Sequence, residues 1–341
     1  MPNLERLLAR LVRLIDGKLI KMFNWHKLGK VFDPTAYRDR SWLKEFAQGP
    51  ASLVFDDFVR VFFSCRPTPD DDGAYVSNSA WVDLDRQDLR RIIRVAESPV
   101  LERGGYGEFD EFGIYPVSPI RNGDEVWLYY GGWTRCESVP FNVAIGLAKS
   151  RDGGVTFEKY GRGPILSYSL HEPFVLSGPK IRRFNDQFYL FYIAGSEWLM
   201  ENGRPEPVYK IRMAVSQNGT DWTKHKHDLI PNVLGLEEAQ ASPDVFFDGF
   251  NYHMFFCYRH GRDYRNAERG YRIGYAHSMD LLNWTRDDAK AGLMPSKEGW
   301  DAQMVSYPHV FRIDGKTYMF YLGDSVGRWG FGVAELQGEL A

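Results

Sequence analysis

Seven acidic side chains recur at a similar distance ahead of a proline. Glu45 lies five residues before Pro50, Asp110 and Glu111 lie six and five before Pro116, and Glu172 lies seven before Pro179. Glu237 and Glu238 stand six and five before Pro243, and Asp301 stands seven before Pro308. A loop carboxyl can do acid–base work when burial or apolar neighbours raise its pKa towards neutrality. Asp110 in "GEFDEF" and Asp301 in "GWDAQ" are set among aromatic residues and fit that role best; Glu172, beside His171, and Glu238 are their counterparts. These four are the candidate catalytic acids. The bland alternative is that such residues are solvated, or cap turns.

A second set of residues suits a ligand with negative charge. Arg66 in "SCR", Arg135 in "WTR", Arg259 in "CYRHGRDYR" and Arg328 in "GDSVGRWG" each follow an aromatic run. Guanidinium forks bind carboxylate or phosphate through two parallel hydrogen bonds, so arginines gathered on one site would select an acidic sugar, a sugar phosphate or a nucleotide sugar. Rim ion pairs with Asp and Glu are the competing reading. Trp133 in "YYGGWT" is a candidate stacking platform for a sugar ring, and His260, beside Arg259, is a candidate proton shuttle. Tyr115 and Tyr307, each directly before a proline of the series, complete the candidate ligand contacts. No metal site is expected, because His225 and His227 are too close in sequence to form one and no ligand cluster stands out. No cofactor is expected either, since HExxH, P-loop, strand-borne GxGxxG and GxSxG patterns are absent.

The elements that must position these residues follow from an internal repeat. The runs "VRVFF", "VWLYY", "FYLFY", "YHMFF" and "TYMFY" end at Phe63, Tyr130, Tyr192, Phe256 and Tyr321, at intervals of 67, 62, 64 and 65 residues. A proline precedes each end point by 13 residues, or by 14 for Pro116. Turn pairs such as Asn122-Gly123, Asn185-Asp186 and Asp314-Gly315 separate the two strands of each unit, because those residues tolerate positive φ. Ser150 with Asp152, Ser216 with Asn218, and Ser278 with Asp280 read as side-chain staples of a further hairpin turn. Five multi-stranded units suggest blades set radially around a channel, hence an all-β, five-bladed β-propeller. Its blades fall at about 35–100, 101–165, 166–230, 231–295 and 296–341, and residues 27–34 supply the last blade's outer strand.

Residues 1–24 read as an N-terminal extension carrying an amphipathic helix. Leu4, Leu7, Leu8, Leu11 and Ile15 share one face, while arginines and lysines populate the rest. Through residues 4–22 this helix would dock on the main domain or a second subunit, or lie peripherally on an anionic membrane surface. A net charge of -3 and pI of about 6.3 give no case for a nucleic-acid partner. Three dispersed cysteines point to a reducing, cytoplasmic setting, at most peripheral to the inner membrane.

With the repeat and its prolines in hand, the chain resembles the five-bladed propeller glycosidase-like superfamily of arabinanases, β-xylosidases and invertases. "FDEFGIYPVSPI", "LYYGGW", "GLAKSRDGGVTF", "GYAHSMDLLNW" and "GWDAQMVSYPHVF" resemble a narrower branch associated with bacterial polysaccharide biosynthesis. The resemblance spans residues 25–338 and implies a carbohydrate-active protein. In the arabinanases and xylosidases an Asp precedes each of the first two prolines, and a Glu stands two residues before the third. Here those places hold Gly49, Tyr115 and Ser177, which cannot run a carboxylate acid–base pair. The expected activity is a glycosidase-like hydrolase or transglycosylase on a bacterial glycan or its precursor, using the displaced acids. The alternatives are a sugar transferase or phosphorylase with an arginine-lined anion site, or a glycan-binding propeller without catalysis.

Overall fold

The computed structural model describes residues 22–37 and 39–339, together with the backbone of Val12–Ile15 and Lys18–Lys21. Five four-stranded antiparallel sheets make a five-bladed β-propeller. Blade 1 runs from inner to outer edge through Glu45–Val54, Phe58–Arg66, Asn78–Asp85 and Ile92–Val95. Blade 2 uses Gly113–Asn122, Glu125–Thr134, Asn142–Ser150 and Glu158–Lys159. Blade 3 uses Leu176–Phe184, Gln187–Glu201, Arg204–Ser216 and Thr223–Lys224. Blade 4 uses Ala239–Phe247, Tyr252–Arg259, Arg272–Ser278 and Thr285–Arg286. Blade 5 uses Ser306–Ile313, Lys316–Leu322 and Phe331–Gln337, and its outermost strand is Asn24–Phe32. That last pairing sets Trp25 against Leu336 and Lys30 against Gly332, joining the two ends of the ring.

The proline series has a structural cause. In every inner strand the ladder shifts register across the proline, between Gln48 and Ala51, Ile114 and Val117, Ser177 and Lys180, Ala241 and Asp244, and Ser306 and His309. A proline has no N–H to give the ladder, so a bulge is one of the few places a strand accepts it. The residue ahead of the proline takes positive φ in four blades: Gly49, Gly178, Ser242 and Tyr307. Each bulge turns its pre-proline residues towards the axis at one end of the ring.

The aromatic runs form the hydrophobic core of the ring. Phe62, Phe191, Phe256 and Phe320 are fully buried, and each such ring contributes roughly 1.5–3 kcal/mol of burial. The serine staples form as drawn from the sequence: Ser150 Oγ lies 2.6 Å from Asp152, and Ser278 Oγ accepts the Leu281 N–H at 3.0 Å.

One expectation needs correction. The helix across residues 4–22 lies partly outside the described residues, but Val12–Ile15 and Lys18–Lys21 pair as an antiparallel hairpin. The intervening sequence pair Asp16-Gly17 favours a tight turn and costs a helix about 1 kcal/mol at the glycine. The amphipathic-helix argument for a membrane or subunit contact through residues 4–22 does not carry over to two short strands. Among the described residues no helix is long and apolar enough to cross a membrane.

Candidate functional site

A cavity of about 730 Å³ opens at the axial end where the inner strands begin and the second strands finish. All five blades reach it. Arg66 and Gln48 come from blade 1, Tyr115, Trp133 and Arg135 from the blade 2 segment, and Ser177, Glu206 and Tyr209 from blade 3. Ser242, Arg259, Tyr264, Arg265 and Tyr271 come from the fourth repeat, and Tyr307 and Arg328 from the fifth. A shallower depression of about 500 Å³ lies between blades 3 and 4, but its only ionisable lining residue among those described, Asp228, is already paired with Arg212 at 2.9 Å.

Phenols link the two sides of the cavity. Tyr115 Oη donates to Tyr307 Oη at 2.8 Å, the Tyr307 ring stands 6.0 Å from that of Tyr271, and Tyr271 and Tyr209 share a 2.6 Å hydrogen bond. Burial pushes the Tyr115 and Tyr307 hydroxyls well above the ordinary phenol value, so both stay protonated near neutral pH. Trp133 is fixed by a 2.6 Å bond from its Nε1 to Ser77 Oγ, and glycine at 113 is what seats it. A Cβ at Gly113 would come within 1.9 Å of that nitrogen.

Charge in the lining is one-sided. Arg66, Arg135, Arg204, Arg259, Arg265 and Arg328 face a single lining carboxylate among the described residues, Glu206. Glu206 accepts from Arg265 at 2.7 Å and from Tyr264 Oη at 2.7 Å, with Arg204 at 3.4 Å. At the rim Glu45 takes Arg328 and Tyr75, both at 2.7 Å, and Asp70 takes Arg135 at 3.2 Å. Arg259 is fully buried yet meets no carboxylate among the described residues: it donates to Tyr271 Oη at 3.2 Å and to the carbonyls of His260 and Pro207 at 2.8 and 3.0 Å. Arg66 has one neutral partner, Gln48 Oε1 at 3.3 Å. Desolvation pulls its pKa below the usual guanidinium value, against the smaller opposing influence of nearby tyrosines and Glu45.

The structure therefore brings together Arg66, Arg135, Arg259, Arg328, Trp133, Tyr115 and Tyr307. His260 is not among the lining residues. Neither are the four acids proposed for catalysis. Each is buried inside its own blade and closed by a base from the outermost strand. Asp110 pairs with Lys159 at 2.7 Å and accepts from Tyr130 at 3.0 Å. Glu172 pairs with Lys224 at 2.5 Å and accepts from Tyr192 at 2.7 Å. Asp301 pairs with Lys27 at 2.5 Å and accepts from Tyr321 at 3.1 Å. Glu238 pairs with Arg286 at 2.6 Å and caps the N–H groups of Val233 and Leu234 at 2.8 and 2.9 Å. Burial raises the Glu172 and Glu238 pKa values, but the bonds these carboxylates receive outweigh it and hold both below the usual range. A general acid near neutral pH requires the opposite. These acids fasten the loop that precedes each inner strand to the outer edge of the blade.

Sequence reasoning missed Glu206, Arg204 and four tyrosines: Tyr75, Tyr209, Tyr264 and Tyr271. A signal for Glu206 was present. Asn202-Gly203 is a hairpin turn pair, and both residues take positive φ, extending the middle of blade 3 into a long ribbon that carries Arg204 and Glu206 over the cavity.

No family model matches this sequence. Two proteins of Mycobacterium tuberculosis match it over nearly their whole length: "Uncharacterized protein MT1551" of strain CDC 1551 / Oshkosh and "Uncharacterized protein Rv1502" of strain ATCC 25618 / H37Rv. Each is 32% identical over 314 residues, which is 92% of this chain and 99% of theirs. The chain belongs to their family.

The fold of this chain is also found more widely. A structure described as a glycoside hydrolase superposes with a TM-score of 0.71 at 17% identity, covering 99% of this chain and 96% of its own. A thermostable family-43 glycoside hydrolase gives 0.64 at 14% identity, covering 89% and 96%. A structure described under the GH130 family of mannoside phosphorylases, which contains hydrolases of β-1,2 mannosidic linkages in Candida mannan, gives 0.70 at 13% identity, covering 95% and 96%. At such identities the likeness is one of fold. Among the described residues no group of three or more His, Cys, Asp or Glu side chains is arranged to hold a metal ion.

Proposed function

We propose that this chain is a carbohydrate-active propeller that binds a sugar bearing an anionic group in its axial cavity. We further propose that it acts by transfer or phosphorolysis rather than by hydrolysis between two carboxylates. The observation that carries this reading is the lining charge: six arginines against Glu206 alone among the described residues. Hydrolysis at a glycosidic bond needs a pair of carboxyls roughly 5–10 Å apart, one to protonate the leaving oxygen and one to activate water or attack. Phosphorolysis relaxes that demand, because phosphate is itself the nucleophile. The glycosidic C–O bond breaks, a bond from the anomeric carbon to a phosphate oxygen forms, and one acid protonates the leaving oxygen. In this reading Glu206, the one lining carboxylate among the described residues, moves that proton, and Trp133 supplies the sugar platform.

Incubating the protein with oligosaccharides, with and without inorganic phosphate, tests the proposal. Phosphorus NMR is expected to show a sugar phosphate only when phosphate is present, and Glu206→Gln is expected to lower its rate by about 10²–10⁴-fold. Release of free reducing sugar in phosphate-free buffer would instead restore the hydrolase reading. A binding-only propeller is the second reading, favoured because Arg265 and Tyr264 already occupy Glu206. Saturable ligand binding with no turnover under either condition would establish it. A reducing compartment and a glycan precursor as substrate complete the proposal, supported by three unpaired cysteines, two of them buried.

A further inference from the structure

The arginines of the cavity are not equivalent. Arg328 answers Glu45, Arg135 answers Asp70, and Arg265 and Arg204 answer Glu206, while every nitrogen of Arg259 already donates to a neutral oxygen. Arg66 is the exception. Only its Nη2 has a hydrogen-bond partner among the described residues, the Gln48 amide oxygen. Its guanidinium carbon lies 4.4 Å from the centre of the Phe46 ring and 5.3 Å from that of Tyr75. Rings packed against the guanidinium leave its edge to face a ligand, and that edge is the two-pronged fork that fits an oxyanion.

Other unused donors gather in the same lining. Tyr307 accepts from Tyr115, so its own hydroxyl proton is uncommitted. Arg328 Nε and Ser242 Oγ are buried without a partner among the described residues. A carboxylate, with two oxygens, is satisfied by the Arg66 fork alone. A phosphate group offers three terminal oxygens and nearly two negative charges, so once the fork is engaged it still has an acceptor for a further donor of the lining. We propose that Arg66 forms a phosphate subsite in the cavity, taking either free inorganic phosphate or the phosphate of a sugar monoester. This deepens the anionic-sugar reading above and rests on it for the sugar.

Calorimetric titration of the full chain with inorganic phosphate, a hexose 1-phosphate, a hexuronate and the neutral hexose tests the subsite. Wild-type protein is expected to bind both phosphate ligands more tightly than the uronate. Arg66→Gln is expected to weaken both by about ten- to a hundredfold, as loss of a charge-assisted pair does. Arg262→Gln, which removes a surface arginine paired with Glu237 outside the cavity, is expected to leave them unchanged. Tighter binding of the ester assigns the phosphate to the sugar substrate; tighter binding of the free ion assigns it to a co-substrate. Equal phosphate affinity in wild type and Arg66→Gln overturns the subsite, as does a wild type that binds no phosphate. Should Arg66→Gln not fold, the Nε–Hε resonance of Arg66 in wild-type protein decides: it must shift on adding phosphate, and an unmoved signal overturns the proposal. A neutral hexose that binds to a wild type showing no affinity for either phosphate ligand sinks the subsite but spares the carbohydrate reading. Phosphate held by Arg66 in a protein that binds the hexose neither alone nor in the presence of phosphate does the reverse.

Discussion

Replacing Asp244 with asparagine is expected to lower the unfolding free energy by ~3–5 kcal/mol, measured by denaturant titration at pH 7. Asp244 is completely buried on the inner strand of blade 4, one residue past the bulge proline. One oxygen takes the Arg182 guanidinium; the other accepts the Val310 N–H at 2.5 Å and lies 3.1 Å from His309 Nδ1. Three neighbouring inner strands are thus tied through one carboxylate. His309 Nε2 accepts the Ser52 N–H at 2.9 Å, so the ring proton sits on Nδ1 and faces Asp244. An asparagine removes the charge that stabilises Arg182 and Lys180 nearby, and sets an amide against two donors.

The same cluster predicts a pH response. Burial depresses the His309 pKa, only partly offset by Asp244, to about 4 from an unfolded value near 6.5. A group depressed in the folded state binds its proton first in the unfolded chain. Its contribution is therefore complete above about pH 6.5 and is lost as pH falls towards 4. Burial alone would raise the Asp244 pKa, but Arg182, His309 and Lys180 hold it far below the usual carboxylate value, adding a loss below about pH 4. The melting temperature should fall between pH 6.5 and 4.5, and more gently in His309→Gln. A wild type whose melting temperature does not change across that interval would refute the assignment.

Glu238→Ala is expected to cost a similar ~3–5 kcal/mol, because it leaves Arg286, whose side chain is 3% exposed, with Asp288 as its remaining carboxylate and the Pro231 carbonyl as a neutral partner. It also releases the N–H groups of Val233 and Leu234. The informative comparison is with ligand affinity. Phosphate or sugar binding by the folded fraction should be unchanged within about threefold, since Glu238 is absent from the cavity lining. A folded variant of normal stability that has lost binding or turnover would return Glu238 to the site.

Much of the architecture was legible because its signals are local. The prolines mark bulges, Asn-Gly and Asp-Gly mark hairpins, and the five aromatic runs are the second strands. Arg66, Arg135 and Arg259 were legible as site residues for a related reason: they stand at or just beyond the ends of second strands, and those ends reach the cavity. The acids misled because the fact that matters about them is non-local. Asp110 is 49 residues from Lys159, and Asp301 is 274 from Lys27. Yet a repeat-phased clue existed in Lys159, Lys224 and Arg286, one base on each short outer strand, and in the tyrosines that end three of the aromatic runs. Asp244 was hidden differently, as the one charged residue in the strand AQASPDVFF.

The pairing of Asn24–Phe32 with Phe331–Gln337 also has a consequence in time. The ribosome makes the first of these strands about 300 residues before its partner. At ordinary elongation rates that separation is roughly 15–60 s. During this interval blades 1 to 4 can form one after another, each from contiguous chain. The early strand meanwhile has no ladder to join, and blade 5 lacks its edge. The ring can lock only after synthesis has passed its final strand, so the closing step, rather than any single blade, is where a chaperone or a competing edge would have its opportunity.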